Sequence, residues 1–342
     1  MTPEIFIKRA LNAECVKREE VVQSLWSGYG EIVRFSVEVS QQVSSVILKS
    51  IRLDEIQNHP RGWQSEFSHQ RKLKSYHVES VWYQEWSHSC EESERVASLL
   101  GHWQQEGCIY LLLEDLDCSG YSRRCDSLNV DEAAVILHWL ASFHARFLKT
   151  MTDTEHQVAG QVSWPKGLWE RGTYWHLATR PDEWNVMESC ELKGAASQLD
   201  NILNKARFQT IVHGDAKLAN FCFNESLDSV AAVDFQYVGR GVGVQDLAYF
   251  FGSCFSENEL DTHLDFLLET YFSELSRCVL SIGESPDIAD AVSKEWCDLF
   301  PIAWADFHRF IMGWLPTHKK NTGFSRRMTE RALEQLKVDI QH

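Results

Sequence analysis

"IVHGDAKLANFCF", residues 211–223, is an apolar run that breaks at His213-Gly214-Asp215, carries Lys217 and Asn220, and then turns apolar again. The preceding "FQTIV" reads as a strand and "FCF" as the start of another, so a short loop projects an acid, a lysine and an amide from rigid flanks. The device repeats in "SVAAVDFQ", an apolar strand that ends in Asp234. Two acids and an amide at loop ends within twenty residues can converge on one point. Oxygen ligands of this kind suit magnesium, which is usually held by one or two protein groups together with substrate phosphates and waters. Taken singly, Asp215 and Asp234 serve equally well as turn residues, and Asn220 as a strand-ending cap.

Outward from this loop, the chain is strand-rich in front and helix-rich behind. "EIVRFSVEV", residues 31–39, alternates Val33, Phe35, Val37 and Val39 with polar residues, the period of a half-buried strand. "VSSVILKSI" follows as a second strand, and "ESVWYQEW" and "CIYLLLEDL" are expected to be two more. Between them, "GWQSEFSHQRKL" spaces Trp63, Phe67 and Gln70 as a helix does. These elements make a small sheet with one inserted helix. From Asn129 the period changes: Asn129 and Glu132 form a cap, and Ala133, Ile136, Leu137, Leu140, Phe143 and Phe147 fall on one face of a long helix. The residues after about 257 read as several more helices. A lobe boundary is expected near "EDLDCSGYSRR", with residues 1–116 as one lobe and 117–342 as the other.

Composition sets bounds on function. The chain has 342 residues, 44% hydrophobic and 24% charged, which is long enough for two lobes with buried cores. No segment approaches a membrane span, and the charged first thirty residues hold no apolar signal core. Ten cysteines scattered from Cys15 to Cys297 without a Cys-x-x-Cys pair read as reduced thiols of a cytoplasmic protein. A net charge of −16 argues against a nucleic-acid partner, because such proteins neutralise phosphates with clustered Lys and Arg. Any steering by that field favours neutral or cationic small molecules.

The order His-Gly-Asp, four residues, Asn, then a strand ending in Asp-Phe resembles the core of the aminoglycoside phosphotransferase and choline kinase superfamily, which is related to the protein kinases. "HGDAKLANFCF", "AAVDFQYVGRGVGVQDLAYFF" and "LLLEDL" are most similar to its ecdysteroid-kinase-like branch. The resemblance is strong from Ile211 to Phe251 and weaker on either side. It implies an α+β, two-lobed protein-kinase-like fold, with a small antiparallel sheet lobe carrying one helix and a larger, mainly helical lobe. It further implies a small-molecule kinase that uses ATP and Mg2+ to phosphorylate a hydroxyl of an alcohol substrate. Asp215 matches the residue that accepts the hydroxyl proton, and Asn220 and Asp234 match the magnesium-holding groups. Asp246 and His213 match residues that brace the loop. Lys217 is either a point charge for the γ-phosphate or a solvated loop lysine.

The front lobe offers a separate check. Lys49 in "VILKSI" shares a face with Ile47 and Ile51, so its charge emerges from an apolar surface and needs a partner. Glu66, seventeen residues later, is the expected one, and the pair matches the family's strand lysine and helix glutamate. Gly28 and Gly30 in "WSGYGEIVRF" precede a strand as a phosphate-covering loop would, although the third glycine of the protein-kinase pattern is absent and a hairpin turn uses two as readily. The resemblance assigns adenine contacts to the backbone of Glu114, Asp115 and Leu116. Arg240 and three glycines in "GRGVGV" stand where protein kinases have a longer regulatory segment. Four tryptophans in residues 160–187, with Trp296, Trp304 and Trp314, either wall an acceptor pocket for a steroid-like or quaternary-ammonium alcohol or pack the core. A choline, ethanolamine or aminoglycoside kinase is the alternative within the same chemistry. A nucleotide-binding pseudokinase acting as an interaction module is the alternative of another class.

Overall fold

A computed structural model describes residues 1–25, 28–53, 66–105, 107–151 and 164–339. The chain divides into two compact units, one of Met1–Glu91, Arg95–Arg124 and Cys222–Gln236, the other of Glu92–Glu94, Cys125–Phe221 and Tyr237–His342. The expected α+β class is present, with an antiparallel sheet in the first unit and a mainly helical second unit.

The first unit opens with α1 (Pro3–Leu11), whose N-terminus is capped by Thr2 and whose end is marked by Asn12 in the left-handed region. Five strands follow: β1 (Cys15–Ser24), β2 (Gly30–Val39), β3 (Gln42–Arg52), β4 (Leu99–Gln105) and β5 (Cys108–Glu114). They pair antiparallel in the order β1-β2-β3-β5-β4. The alternation read in 31–39 decides which face is buried: Val33, Phe35 and Val37 join Val46, Leu48, Tyr110 and Leu112 in one core with Phe6 and Ile7 of α1. Lys49 pairs with Ile32 and Leu111 in register and so stands on the opposite face from Leu48.

One expected strand is a helix. "ESVWYQEW" closes α2 (Glu66–Val81) and runs on as a π-helical turn, Trp82–Trp86. Almost every side chain from Ser75 to Tyr83 is buried, so the usual apolar stripe is missing. A short run of aromatic and β-branched residues buried on all sides does not distinguish strand from helix by its period. Trp82 stacks on Phe235 at 4.6 Å, and Tyr83 meets the same ring edge-on. The start of the expected helix, with Trp63, lies outside the described residues. The two edge strands, β1 and β4, carry no period that sequence could show. β1 is exposed along nearly its whole length, and its Lys17, Arg18, Glu19 and Glu20 blunt an open edge.

From Cys222 on, the first unit also takes in the hairpin of β8 (Phe221–Phe223) and β9 (Val230–Ala232), tied to Arg123 by two backbone hydrogen bonds with Phe223. The second unit contains the expected long helix, α3 (Val130–Arg146), with its capping box of Asn129 and Glu132. A small sheet of order β10-β7-β6 joins β6 (Lys149–Thr150), β7 (Phe208–Val212) and β10 (Gly239–Gly241). Around it lie α4 (Pro181–Val186), α5 (Glu191–Lys205), α6 (Val244–Cys254), α7 (Glu257–Ser281), α8 (Pro286–Trp314) and α9 (Gly323–Asp339). Among the described residues no helix is long and apolar enough to cross a membrane.

Candidate functional site

In the second unit, β7 delivers His213, Gly214 and Asp215 into a loop fixed almost wholly by buried groups. Asp246, at the start of α6 and fully buried, accepts from the N–H of His213 at 2.6 Å and of Gly214 at 2.9 Å. His144 of α3 in turn bonds Asp246 at 3.1 Å and the Tyr271 hydroxyl at 2.8 Å. The bracing roles expected of Asp246 and His213 are visible here, since His213 Nδ1 accepts from the Asp215 N–H at 3.2 Å. Gly214 has φ +78°, and a Cβ there would stand 2.1 Å from the Tyr237 carbonyl oxygen. Only glycine allows this turn.

Asp215 is thus aimed by its backbone, and its carboxylate is gripped from several sides. Lys217 Nζ lies 3.0 Å from Oδ2. The Asn220 amide nitrogen donates to the Asp215 carbonyl at 2.8 Å and to Oδ2 at 3.0 Å. With both amide hydrogens so used, the Asn220 carbonyl oxygen has no hydrogen bond among the described residues and is left as an oxygen donor for a hard cation. The Tyr249 hydroxyl reaches the Asp215 carboxylate and lies 3.4 Å from the Tyr174 hydroxyl. Burial, and then the charge of Asp215, hold both phenols above their ordinary titration range. They remain neutral donors at physiological pH.

The first unit presents the second group of charges. Lys49 Nζ lies 2.7 Å from both carboxylate oxygens of Glu79, with both side chains almost completely buried. The expected partner is therefore corrected: Glu66 begins α2, but the carboxylate on Lys49 is that of Glu79, near the helix end. Sequence missed Glu79 because it lies in the segment read as a strand. Burial raises the Glu79 carboxyl above the usual range, an effect that Lys49 opposes and Asp234 reinforces. Asp234 has φ +69°, strained for a non-glycine residue, and its side chain is one-third exposed. Its Oδ1 accepts from Gln236 at 2.8 Å and stands 3.9 Å from Lys49 Nζ. A partly open carboxylate on a fixed backbone is a suitable magnesium ligand.

The other residues expected at a nucleotide are placed as follows. Gly28 and Gly30 close the β1–β2 turn, where the Gly28 N–H donates to Leu25 and the Gly30 carbonyl accepts from Leu25. A Cβ on Gly30 would meet the Ser50 carbonyl at 1.9 Å, so that glycine answers a close strand approach. Trp26 and Ser27 lie outside the described residues. The Glu114 and Asp115 side chains are engaged structurally, the first by Arg95 and the Ser98 N–H, the second by Arg34 at 2.8 Å and Ser45. The Leu116 N–H has no hydrogen bond among the described residues, which leaves it able to contact a base.

Most of the tryptophans are core. Trp169, Trp175, Trp296 and Trp304 are buried, and Trp175 packs with Tyr249, Phe307, Phe310 and Ile311. Residues 160–163 of the tryptophan-rich segment lie outside the described residues. Arg240 lies in β10 and donates to Asn204. The segment entering the site is held by Asp200 of α5, which accepts from Arg171 and lies 2.6 Å from His176 Nε2. Burial alone would raise the Asp200 carboxyl, but the His176 and Arg171 bonds override it and lower it to about 2. A depressed acid stabilises the fold above its ordinary pKa, and the stabilisation fades as pH falls toward the folded value. Asp200→Asn is expected to cost about 2 kcal/mol at neutral pH, a gap that narrows from about pH 4 downward in denaturant titrations.

Several solved structures resemble the chain at low sequence identity. A putative fructosamine-3-kinase from Haemophilus somnus is similar in structure, at 14% identity and a TM-score of 0.43, with 97% of this chain and 95% of that one covered. An ethanolamine kinase from Plasmodium vivax has 10% identity and a TM-score of 0.45, over 93% and 81% of the two chains. A microcompartment-associated aminopropanol kinase has 14% identity and a TM-score of 0.40, over 96% and 93%. No curated protein sequence matches the chain. Residues 176–284, which carry Asp215, Asn220, Asp234 and Asp246, match the model of the ecdysteroid kinase-like family.

Proposed function

We propose that this chain is a small-molecule kinase that transfers the γ-phosphoryl group of ATP to a hydroxyl of an alcohol. The observation that carries the reading is the Asp215 loop, in which a carboxylate is aimed by buried bonds from Asp246 and His213 while Asn220 is anchored on it with a carbonyl oxygen to spare. The match to the ecdysteroid kinase-like family over the same residues supports it.

In this reading Asp215 accepts the proton of the acceptor hydroxyl as the oxygen bonds to the γ-phosphorus. The bond from that phosphorus to the β–γ bridging oxygen breaks, and ADP departs with the electron pair. Asn220 and Asp234 are the oxygen donors that would hold magnesium, which when bound neutralises charge on the nucleotide phosphates. Lys49, held by Glu79, supplies a fixed cation for the phosphates, and Lys217 a second cation beside the base. The backbone at 114–116 contacts the adenine. Such transfer requires little covalent work from the protein, so positioning and charge neutralisation supply most of the rate.

ADP release by the purified chain with magnesium-ATP tests this against sterols, choline-like alcohols and aminoglycosides. One acceptor class is expected to stimulate release well above the acceptor-free rate. Nucleotide binding without release from any acceptor would favour the pseudokinase.

A further inference from the structure

Beside Asp215 stands a cluster of rings of the kind that receives organic cations. Tyr249 and Phe307 have centroids 5.1 Å apart, Tyr174 and Phe310 5.2 Å, and Tyr174 and Tyr249 5.4 Å. Ring faces already occupied by the chain's own cations cannot also hold a ligand's. Lys320 places its Nζ 4.3 Å from the Tyr249 centroid and 5.2 Å from that of Phe307. The Arg180 guanidinium lies over Tyr174 at 5.3 Å and over Phe310 at 5.6 Å.

The two cations differ in their satisfaction. Arg180 is paired with Glu183 and donates to the Tyr174 carbonyl. The Lys320 ammonium makes no ion pair or hydrogen bond among the described residues, although its stem is half-buried against the rings. Burial pushes its ammonium down to about 7, with Asp215 opposing and Lys217 and Lys319 reinforcing that shift. An ammonium already stripped of much of its water, and held in no ion pair among the described residues, repels a second cation beside it and gains from an anion.

We propose that Lys320 is a specificity-determining residue of the acceptor site, refusing alcohols that carry a positive charge near the reacting hydroxyl and favouring those that carry an anionic group there. The proposal rests on the reading of Asp215 as the base of a kinase and narrows its substrate class. It removes choline, ethanolamine and aminoglycosides from the expected acceptors, against the direction that the net charge of −16 would give. The local charge overrides the global one because the field of distant surface acids is screened.

The test needs no turnover, so its failure is distinguishable from failure of the kinase reading. Three probes share a two-carbon alcohol and differ in charge: choline, its neutral isostere 3,3-dimethylbutan-1-ol, and isethionate. Their affinities are measured by ligand-observed NMR with the full chain at about pH 6, where a lysine titrating near 7 is charged. Wild type is expected to bind isethionate and the neutral alcohol at least about tenfold more tightly than choline. Lys320→Met keeps an apolar stem on the rings and is expected to erase that preference, with choline gaining about tenfold. Lys320→Gln gives the same readout should the Met variant fold poorly. Choline binding as tightly as its isostere, an unchanged preference in the variants, or no binding of any probe would each overturn the proposal.

Discussion

Asp215→Asn is expected to slow phosphoryl transfer roughly 10²–10⁴-fold, the usual contribution of a positioned general base, while leaving the affinity for magnesium-ATP unchanged. The substitution is close to isosteric. An asparagine at 215 keeps an oxygen for the Asn220 amide, which also remains anchored on the 215 backbone carbonyl. The bonds from Asp246 to the His213 and Gly214 N–H groups, and from the Asp215 N–H to His213, involve main chain and are untouched. The ability to take a proton is removed, together with the negative charge that faces Lys217, Lys320 and the Tyr174 and Tyr249 hydroxyls. Steady-state kinetics should therefore show a fall in kcat with the KM for ATP preserved. A parallel loss of nucleotide affinity would mean that Asp215 serves binding rather than proton transfer.

The second large effect concerns the pair buried in the first unit. Glu79→Ala leaves the Lys49 ammonium, 4% exposed, without its carboxylate, and removing one partner of a buried pair costs about 3–5 kcal/mol. Replacing both, as Lys49→Met with Glu79→Leu, removes the desolvation cost together with the attraction and is expected to restore stability to within about 1 kcal/mol of wild type. The double variant should nevertheless lose most of its affinity for ATP, because no fixed cation remains for the phosphates. Denaturant unfolding and nucleotide binding measured on the three proteins separate these effects. A stable double variant that binds ATP normally would show that the pair has only a packing role.

The Asp215 loop was legible because its signals are local. Consecutive apolar residues on both sides of His213-Gly214-Asp215 mark buried strands, and the offset from Asp215 to Asn220 is a property of one loop. The capping box at Asn129 and Glu132 is local for the same reason. Lys49 was legible as a charge on an apolar face, but its partner was not. Glu79 sits in a helix buried on nearly every side, where the composition imitates a strand and shifts the apparent helix toward Glu66. Tyr249 and Lys320 lay beyond reach for another reason. What makes them notable is their meeting with Asp215 and Phe307, residues far apart in sequence, and nothing in "VQDLAYF" or "THKKN" announces it. For the tryptophans the sequence left pocket and core open, since abundance does not tell one from the other, and Trp169, Trp175, Trp296 and Trp304 are core.

In the proposed reaction phosphate moves directly from ATP to an alcohol whose proton Asp215 accepts. The most direct measurement follows radiolabel from the γ-phosphate of ATP into a pooled extract of metabolites, with wild type and Asp215→Asn run side by side. A labelled phosphomonoester formed by wild type and nearly absent with the variant is the predicted result. Equal ester from both proteins, or none from wild type although magnesium-ATP raises its melting temperature, would contradict it.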